Sequence, residues 1–274
     1  MHCYVINLPT ATKRLERTKR ELEAYCPKLS WSVPPMCIAS EMSDDDFVRL
    51  YDADKAWRID NYQMSKGEVA CALSHQSALK EFLKSGDGCC LIVEDDVVFS
   101  PAMGNFLDGV EGWLGERAAK PIVIVLSEAY QVRYWAARPM FGEFRFTKPI
   151  KSCGAFAYVV NRTGAKLILE ANAEPIGTTS DHWTYYRKCG LFFLGLDKIL
   201  AGSSDFSRKD SSLSKWRDES KKQTETRQSE VSFVLRKSKA LKAYARWFWW
   251  WLTGVDRSGE HRSNERLYLV DSRK

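Results

Sequence analysis

A buried strand that ends in three carboxylates constrains this chain most. Residues 89–93 form an uninterrupted apolar run, and Glu94, Asp95 and Asp96 follow it directly. Such a run is typical of a strand buried on both faces, and in an open α/β sheet ligands bind beyond the carboxyl ends of the strands. Adjacent carboxylates repel one another, and a divalent cation that bridges to phosphate oxygens would offset that repulsion. The alternative is a solvated acidic turn in front of a helix predicted for residues 101–114.

Further apolar runs alternate with predicted helices along most of the chain. Predicted strands cover residues 3–8, 30–38, 122–126 and 155–160, and another apolar run lies at 191–194. Predicted helices cover residues 12–25, 101–114 and 161–171, and one more begins after Ser65. Residues 130–149 have no clean period and could form a hairpin or a loop. This alternation indicates an α/β fold with a mainly parallel central sheet flanked by helices.

The first predicted strand leads into a basic helix without a glycine-rich loop. Pro9 and Thr10 follow the strand, so neither a P-loop nor a G-x-G-x-x-G fingerprint is present there. Phosphate would therefore have to be bound by arginine side chains. Arg14 lies at the start of the helix, whereas most of the other cations are expected to form its solvated face.

The helix after Ser65 opens with a capping box, in which Ser65 is the N-cap and Glu68 is the N3 residue. His75 lies close to the apolar side of this helix. A lone histidine there is more often a hydrogen-bonded packing residue, but Ser74 is adjacent and the acidic strand end is expected nearby. Both a packing role and a role in a pocket therefore stay open.

Positive charge is concentrated in the C-terminal quarter. Residues 1–207 hold 24 Lys+Arg and 26 Asp+Glu, while residues 208–274 hold 17 and 9. Residues 205–236 are polar and highly charged, which is typical of a linker or of a loop ordered by a ligand. Residues 237–274 form a basic amphipathic tail, in which residues 247–251 are all tryptophan or phenylalanine.

This tail is expected to be a helix that lies on an anionic membrane surface, because tryptophan favours the bilayer interface and the cations can meet anionic lipid. The aromatic residues could instead pack on the body of the protein or form a dimer contact. A nucleic-acid-binding module that uses residues 208–251 is a further alternative. The unbroken aromatic run favours lipid over interleaved base stacking, so no nucleic-acid partner is expected.

The cysteines and the N-terminus indicate a cytoplasmic protein. The eight cysteines show no C-x-x-C pair and no zinc-site spacing, and we interpret them as reduced thiols. The chain starts with a short apolar strand rather than with the basic and apolar segments of a signal peptide. No apolar stretch approaches the ~20 residues of a membrane-spanning helix.

Four segments together resemble glycosyltransferase family 25 of lipooligosaccharide and lipopolysaccharide biosynthesis, which includes bacterial β-galactosyltransferases. The segments are residues 5–8 with Arg14, residues 67–75, residues 91–97, and a last group of Gly154, Ala155, Tyr158, Arg162, Gly164 and Ala165. Their order and spacing are specific, and the resemblance covers about residues 3–200. One departure is that the family commonly has an acidic-basic pair where this chain has Pro9 and Thr10, which concerns the contacts to uridine.

The resemblance implies a GT-A-like nucleotide-sugar-binding fold in a catalytic domain of residues 1–204. It also implies a UDP-sugar donor, with UDP-galactose as the first candidate, and a lipid-linked oligosaccharide acceptor. The divalent metal would be Mn²⁺ or Mg²⁺. Such an enzyme would be peripheral on the inner face of the inner membrane.

The resemblance also implies donor and metal ligands. Donor-binding residues would be Asn7, Leu8, Arg14, Ser74, His75, Glu94, Asp95 and Gly154. The metal would be held by Asp96 and Glu94, which flank Asp95 as a D-x-D-like pair. His182 would complete the metal shell.

Transfer with inversion requires a base that deprotonates the acceptor hydroxyl. Asp181 is the first candidate for this base and Glu128 is the second. Residues 212–217 resemble a late serine-containing loop of the family, which could close over the donor. A metal-dependent nucleotidyltransferase is the rival enzyme class, but it normally needs a glycine-rich loop after the first strand.

Overall fold

The computed structural model describes residues 1–127, 137–150, 154–204 and Thr224. Its helices are α1 (Thr12–Tyr25), α2 (Asp44–Leu50), α3 (Ala53–Asp60), α4 (Lys66–Lys84), α5 (Met103–Gly115), α6 (Arg162–Ala171) and α7 (Trp183–Lys188). Its strands are β1 (His2–Ile6), β2 (Ser30–Ser32), β3 (Cys89–Glu94), β4 (Val97–Phe99), β5 (Ile122–Val125), β6 (Arg138–Phe141), β7 (Phe144–Thr147), β8 (Ala157–Asn161), β9 (Phe192–Leu196) and β10 (Ala201–Ser203).

The central sheet is mixed rather than mainly parallel. Its eight strands run in the order β2-β1-β3-β8-β5-β9-β7-β6. Strand β1 is parallel to β2 and β3, and β5 is parallel to β9. Strand β8 lies between β3 and β5 and is antiparallel to both. The prediction of strand direction was wrong at β8 because a strand buried on both faces has the same apolar sequence in either direction.

Helices cover both faces of the sheet, as the alternation of elements predicts. On one face, Leu22 of α1 and Phe106 of α5 belong to a buried cluster with the strand residues. On the other face, Phe82 of α4 and Trp183 of α7 belong to a second cluster. The sheet is therefore the middle layer of an α/β fold.

Local sequence signals account for several boundaries. The predicted capping box opens α4, where Ser65 Oγ accepts from the Glu68 backbone N–H and a Glu68 carboxylate oxygen accepts from the Ser65 N–H. Helix α2 has no counterpart among the predicted helices. Its Ser43 N-cap and three aspartates in the first turn, which favour the positive end of the helix dipole, explain its position.

Residues 130–149 contain the β6–β7 hairpin, which is one of the two predicted alternatives. In contrast, the strand predicted for residues 30–38 extends only over Ser30–Ser32. Within the described ranges, no helix has the length and apolar character needed to cross a membrane.

The predicted linker and tail lie outside the described residues, apart from Thr224. Thr224 is buried, and its Oγ1 accepts a hydrogen bond from the Gln63 backbone N–H at 3.0 Å. Gln63 lies between α3 and α4, so at this one position the linker region contacts the body of the protein.

Candidate active site

The carboxyl ends of β1, β3 and β5 meet at one edge of the sheet. Ile6 pairs with Glu94, and the Glu94 N–H donates to the Phe156 carbonyl just before β8. Because β8 runs antiparallel between β3 and β5, its first residues and Ser127 after β5 lie at this same edge. This edge of the sheet therefore carries Asn7, the acidic triplet and the segment that begins at Gly154.

The three adjacent carboxylates have three different partners. Glu94 Oε1 lies 3.5 Å from His75 Nε2. Asp95 Oδ1 lies 2.5 Å from an Arg14 guanidinium nitrogen. Asp96 Oδ2 accepts a hydrogen bond from Ser203 Oγ at 2.5 Å. The triplet is therefore a set of separately positioned groups rather than a solvated acidic turn.

Asp95 and Asp96 are both buried, and this determines their charge behaviour. Burial raises the pKa of Asp95 to about 6, and the nearby Arg14 guanidinium opposes that rise. Burial also raises the pKa of Asp96, and the negative charge of Glu94 adds to the effect. A cation at this edge would favour the charged forms of both carboxylates.

Several buried polar atoms at the edge have no hydrogen-bond partner among the described residues. They are Asn7 Oδ1, Arg14 Nε, Asp96 Oδ1 and Ser127 Oγ. An unpaired buried polar atom costs about 1–3 kcal/mol, so such atoms usually have a partner. Carboxylate and amide oxygens are ligands that Mn²⁺ and Mg²⁺ prefer. The donor set at Asp96 thus fits a hard divalent cation, and the site as a whole fits a polar ligand.

Asp181 is held against the segment that leads into β8. Its Oδ2 accepts from the Gly154 N–H at 2.8 Å, and its Oδ1 accepts from Thr179 Oγ1 at 2.7 Å. Gly154 has a φ of +94°, which side-chain-bearing residues rarely adopt. Trp183 Nε1 donates to the Gly154 carbonyl at 3.2 Å. These contacts fix the Asp181 carboxylate beside the edge that carries Glu94.

Comparison with known proteins identifies the family. The family model described as glycosyltransferase family 25 (LPS biosynthesis protein) matches residues 1–184, which is more than half of the chain. The chain belongs to glycosyltransferase family 25. The predicted resemblance is therefore confirmed, and the protein is a glycosyltransferase of a family that acts in LPS biosynthesis. Membership implies a nucleotide-sugar donor and a sugar acceptor.

Other comparisons add little to this assignment. No curated protein sequence matches the chain. A 2.76 Å crystal structure named as a glucose-1-phosphate thymidylyltransferase from Bacillus anthracis, in complex with a sucrose, shares 10% sequence identity. The similarity covers 85% of this chain and 97% of that chain, with a TM-score of 0.34. A TM-score this low does not decide the function of the family 25 enzyme.

The remaining predicted site residues have other surroundings. Leu8 offers its carbonyl to Asn7 Nδ2 at 2.9 Å, so these two residues are coupled at the end of β1. Ser74 is buried and donates to the Ala70 carbonyl, and it accepts from the Cys37 N–H at 3.0 Å. The bond from Cys37 joins α4 to the segment after β2. The roles of Ser74 and Leu8 in donor binding stay predictions.

His182 and Glu128 were predicted as a metal ligand and a second candidate base. His182 is the N-cap residue of α7, and its Nδ1 lies 2.8 Å from Thr178 Oγ1. Glu128 lies outside the described residues. Their predicted roles remain proposals.

Two features of the site were missed by the sequence analysis. Ser203 follows Asp96 by more than a hundred residues and reaches it because β10 pairs with β4, with Ser203 opposite Val97. No sequence signal indicates that contact. Cys71 lies close to His75 and Glu94, whereas the sequence analysis grouped it with the ordinary thiols. Its position one helical turn before His75 could have indicated the pair.

Proposed function

We propose that this family 25 enzyme transfers galactose from UDP-galactose to a sugar of a lipid-linked oligosaccharide core, with inversion to a β-linkage. The observation that carries the proposal is the buried, unpaired Asp96 Oδ1 beside the Asp95–Arg14 ion pair. A nucleoside diphosphate leaving group carries negative charge. A cation bound by the carboxylate oxygen and a guanidinium group that binds phosphate would both stabilise that charge.

Four residues at or beside the edge, together with His182, have assigned roles in this proposal. Asp96 and Glu94 would hold Mn²⁺ or Mg²⁺, and His182 is a proposed further ligand. When bound, the metal would neutralise the charge that develops on the diphosphate. Arg14 would add a guanidinium charge on the other side, and Asn7 Oδ1 would accept a hydrogen bond from the donor nucleotide.

Asp181 is the proposed base. Its two oxygens each accept one hydrogen bond, which fixes the carboxylate and leaves lone pairs that can accept the acceptor hydroxyl proton. Glu128 is the second candidate for this step. Residues 212–217, which resemble the family's late serine-containing loop, lie outside the described residues.

The proposal is tested by measuring UDP release from a panel of UDP-sugars with Mn²⁺, with and without truncated lipooligosaccharide acceptors. We expect release from UDP-galactose that depends on metal and is accelerated by the acceptor. Release from another UDP-sugar would overturn the assignment of galactose and keep the reaction class. Pyrophosphate production from a nucleoside triphosphate and a sugar 1-phosphate, without UDP release, would favour the nucleotidyltransferase alternative.

A further inference from the structure

A second group of ligand atoms lies on the α4 side of the sheet edge. Cys71, His75 and Glu94 each place one ligand atom within 4.8 Å of the other two. Cys71 and His75 are one turn apart on α4, so both reach the same side of the helix. Glu94 ends β3 and faces them. Two elements of the fold therefore bring sulfur, nitrogen and oxygen donors together.

The surroundings of His75 are typical of a metal-binding histidine. His75 is 2% exposed, and its Nε2 is a buried atom without a hydrogen-bond partner in the described part of the chain. Its other nitrogen, Nδ1, lies 3.2 Å from the Tyr158 hydroxyl. Metal-binding histidines commonly use the second ring nitrogen in this way, because that hydrogen bond fixes the tautomer and the ring orientation.

The separation of the histidine nitrogen and the carboxylate oxygen suits a tetrahedral cation. His75 Nε2 and Glu94 Oε1 are 3.5 Å apart. Zinc bonds of about 2.0–2.1 Å to nitrogen and oxygen place two tetrahedral ligand atoms roughly 3.3–3.5 Å apart. Cys71 is only half-buried, and the Glu94 side chain is 30% exposed, so the group lies at the surface end of the sheet edge rather than in the core.

We propose that Cys71, His75 and Glu94 form a binding site for a thiophilic divalent cation such as Zn²⁺, separate from the site at Asp96. Thiolate and imidazole favour zinc over magnesium or manganese, whereas the oxygen donors around Asp96 have the opposite preference. The cation binds the Cys71 thiolate, and the thiol proton goes to solvent. Three protein ligands leave the fourth tetrahedral position open to water or to a substrate oxygen.

This site does not depend on the identity of the sugar donor. It joins α4 to the end of β3 and holds Glu94 Oε1 toward His75. Glu94 is also a proposed ligand of the site at Asp96, and because a carboxylate has two oxygens, one oxygen can serve each site.

The test uses the full-length chain, stripped of metal with a chelator, and Zn²⁺ and Co²⁺ as probes. We expect one tightly bound Zn²⁺ per chain in competition with a colorimetric chelator. With Co²⁺, we expect visible bands of a tetrahedral site and near-ultraviolet thiolate-to-cobalt charge transfer. Cys71→Ser should remove the charge-transfer absorption. Tyr158→Phe should keep it but weaken binding by about 10- to 100-fold, because only the outer hydrogen bond is lost.

Two matched controls separate this site from others. Cys189→Ser removes an exposed thiol outside the proposed site and should change neither zinc binding nor the cobalt spectrum. Asp96→Asn should leave the cobalt spectrum intact even if sugar transfer is lost. Circular dichroism confirms the fold of each variant. Zinc binding that is the same in wild-type protein and Cys71→Ser, or that disappears in Cys189→Ser, would overturn the proposal, whatever the outcome of the UDP-release experiment.

Discussion

Asp95 is a buried carboxylate in contact with an arginine, and the cost of its burial exceeds the benefit of the ion pair. Its pKa of about 6 in the folded protein lies above the ordinary 3.8. The folded state therefore binds this proton more tightly than the unfolded state does. The protonated Asp95 carboxyl group therefore contributes to the stability of the folded state below about pH 4, and this contribution is lost as the pH rises through about 6.

We predict that Asp95→Asn becomes more stable relative to wild type as the pH rises from 4 to 7. The asparagine stays neutral, so the variant avoids the cost of charging the buried carboxyl group. A shift of this size corresponds to roughly 1–3 kcal/mol in the free energy of unfolding. Urea unfolding of both proteins with a chelator present measures it. A difference that is constant with pH, or that falls, would contradict the assigned pKa.

Asp96 is the residue on which the proposed metal chemistry depends most. We predict that Asp96→Ala lowers metal-dependent sugar transfer by about 100-fold or more, since it removes a charge that acts in the transition state. The variant should remain folded because carboxylate repulsion is relieved. The matched control is Asp108→Ala, which removes an exposed carboxylate from a surface ion pair with Lys28 and should keep full activity. An active Asp96→Ala enzyme with unchanged metal dependence would exclude the metal assignment.

At the scale of elements, the junction of β8, α6 and β5 is closely packed. Asn161 is the N-cap of α6, and its Oδ1 accepts both from the Gly164 N–H at 2.9 Å and from the Ile122 N–H at 3.0 Å. A Cβ atom on Gly164 would lie 2.7 Å from the Ile122 carbonyl oxygen. The glycine thus lets α6 approach the start of β5.

We predict that Gly164→Ala lowers the free energy of unfolding by about 1–3 kcal/mol, because the added methyl group overpacks this junction. Gly112→Ala in α5 is the control, since a Cβ there meets no atom within 4 Å. That change should instead add up to about 1 kcal/mol through helix propensity. Chemical denaturation of the two variants gives both values. Equal changes of the same sign would show that backbone propensity, rather than packing, decides the cost.

At the scale of the whole molecule, charge is distributed unevenly between residues 1–207, the body, and residues 208–274. The body is nearly neutral, while residues 208–274 carry the excess of lysine and arginine. An enzyme whose acceptor is anchored in lipid gains from a tail that keeps it at the membrane surface. We therefore keep the proposal that residues 237–274 bind an anionic membrane.

We predict that the full-length protein sediments with anionic vesicles, and more weakly with neutral vesicles. Replacing Trp247, Trp249, Trp250 and Trp251 together by serine should abolish this binding, because these rings supply the interfacial contact. Trp216→Ser, upstream of the aromatic run, should bind as wild type does. Tighter binding to single-stranded nucleic acid than to vesicles at equal salt would refute the membrane proposal.

Local chemistry in the sequence determined much of the fold. Helix α1 has the predicted bounds, the capping box opens α4 at Ser65, and the apolar runs at β3 and β5 are buried strands. These features depend on neighbouring residues, on helical period and on apolar run length, which a sequence displays directly. The apolar run that ends in three carboxylates also placed the acidic triplet at a sheet edge.

Only the tertiary structure decided the direction of β8 and the partners of the triplet. Buried strands carry no directional signal, so the antiparallel position of β8 between β3 and β5 follows from the packing of the whole sheet. Ser203 reaches Asp96 through the pairing of β10 with β4, two strands far apart in sequence. His75 reaches Glu94 because α4 packs against β3, the next element along the chain. Such contacts depend on how the elements pack in three dimensions, which is why adjacent carboxylates acquired separate environments.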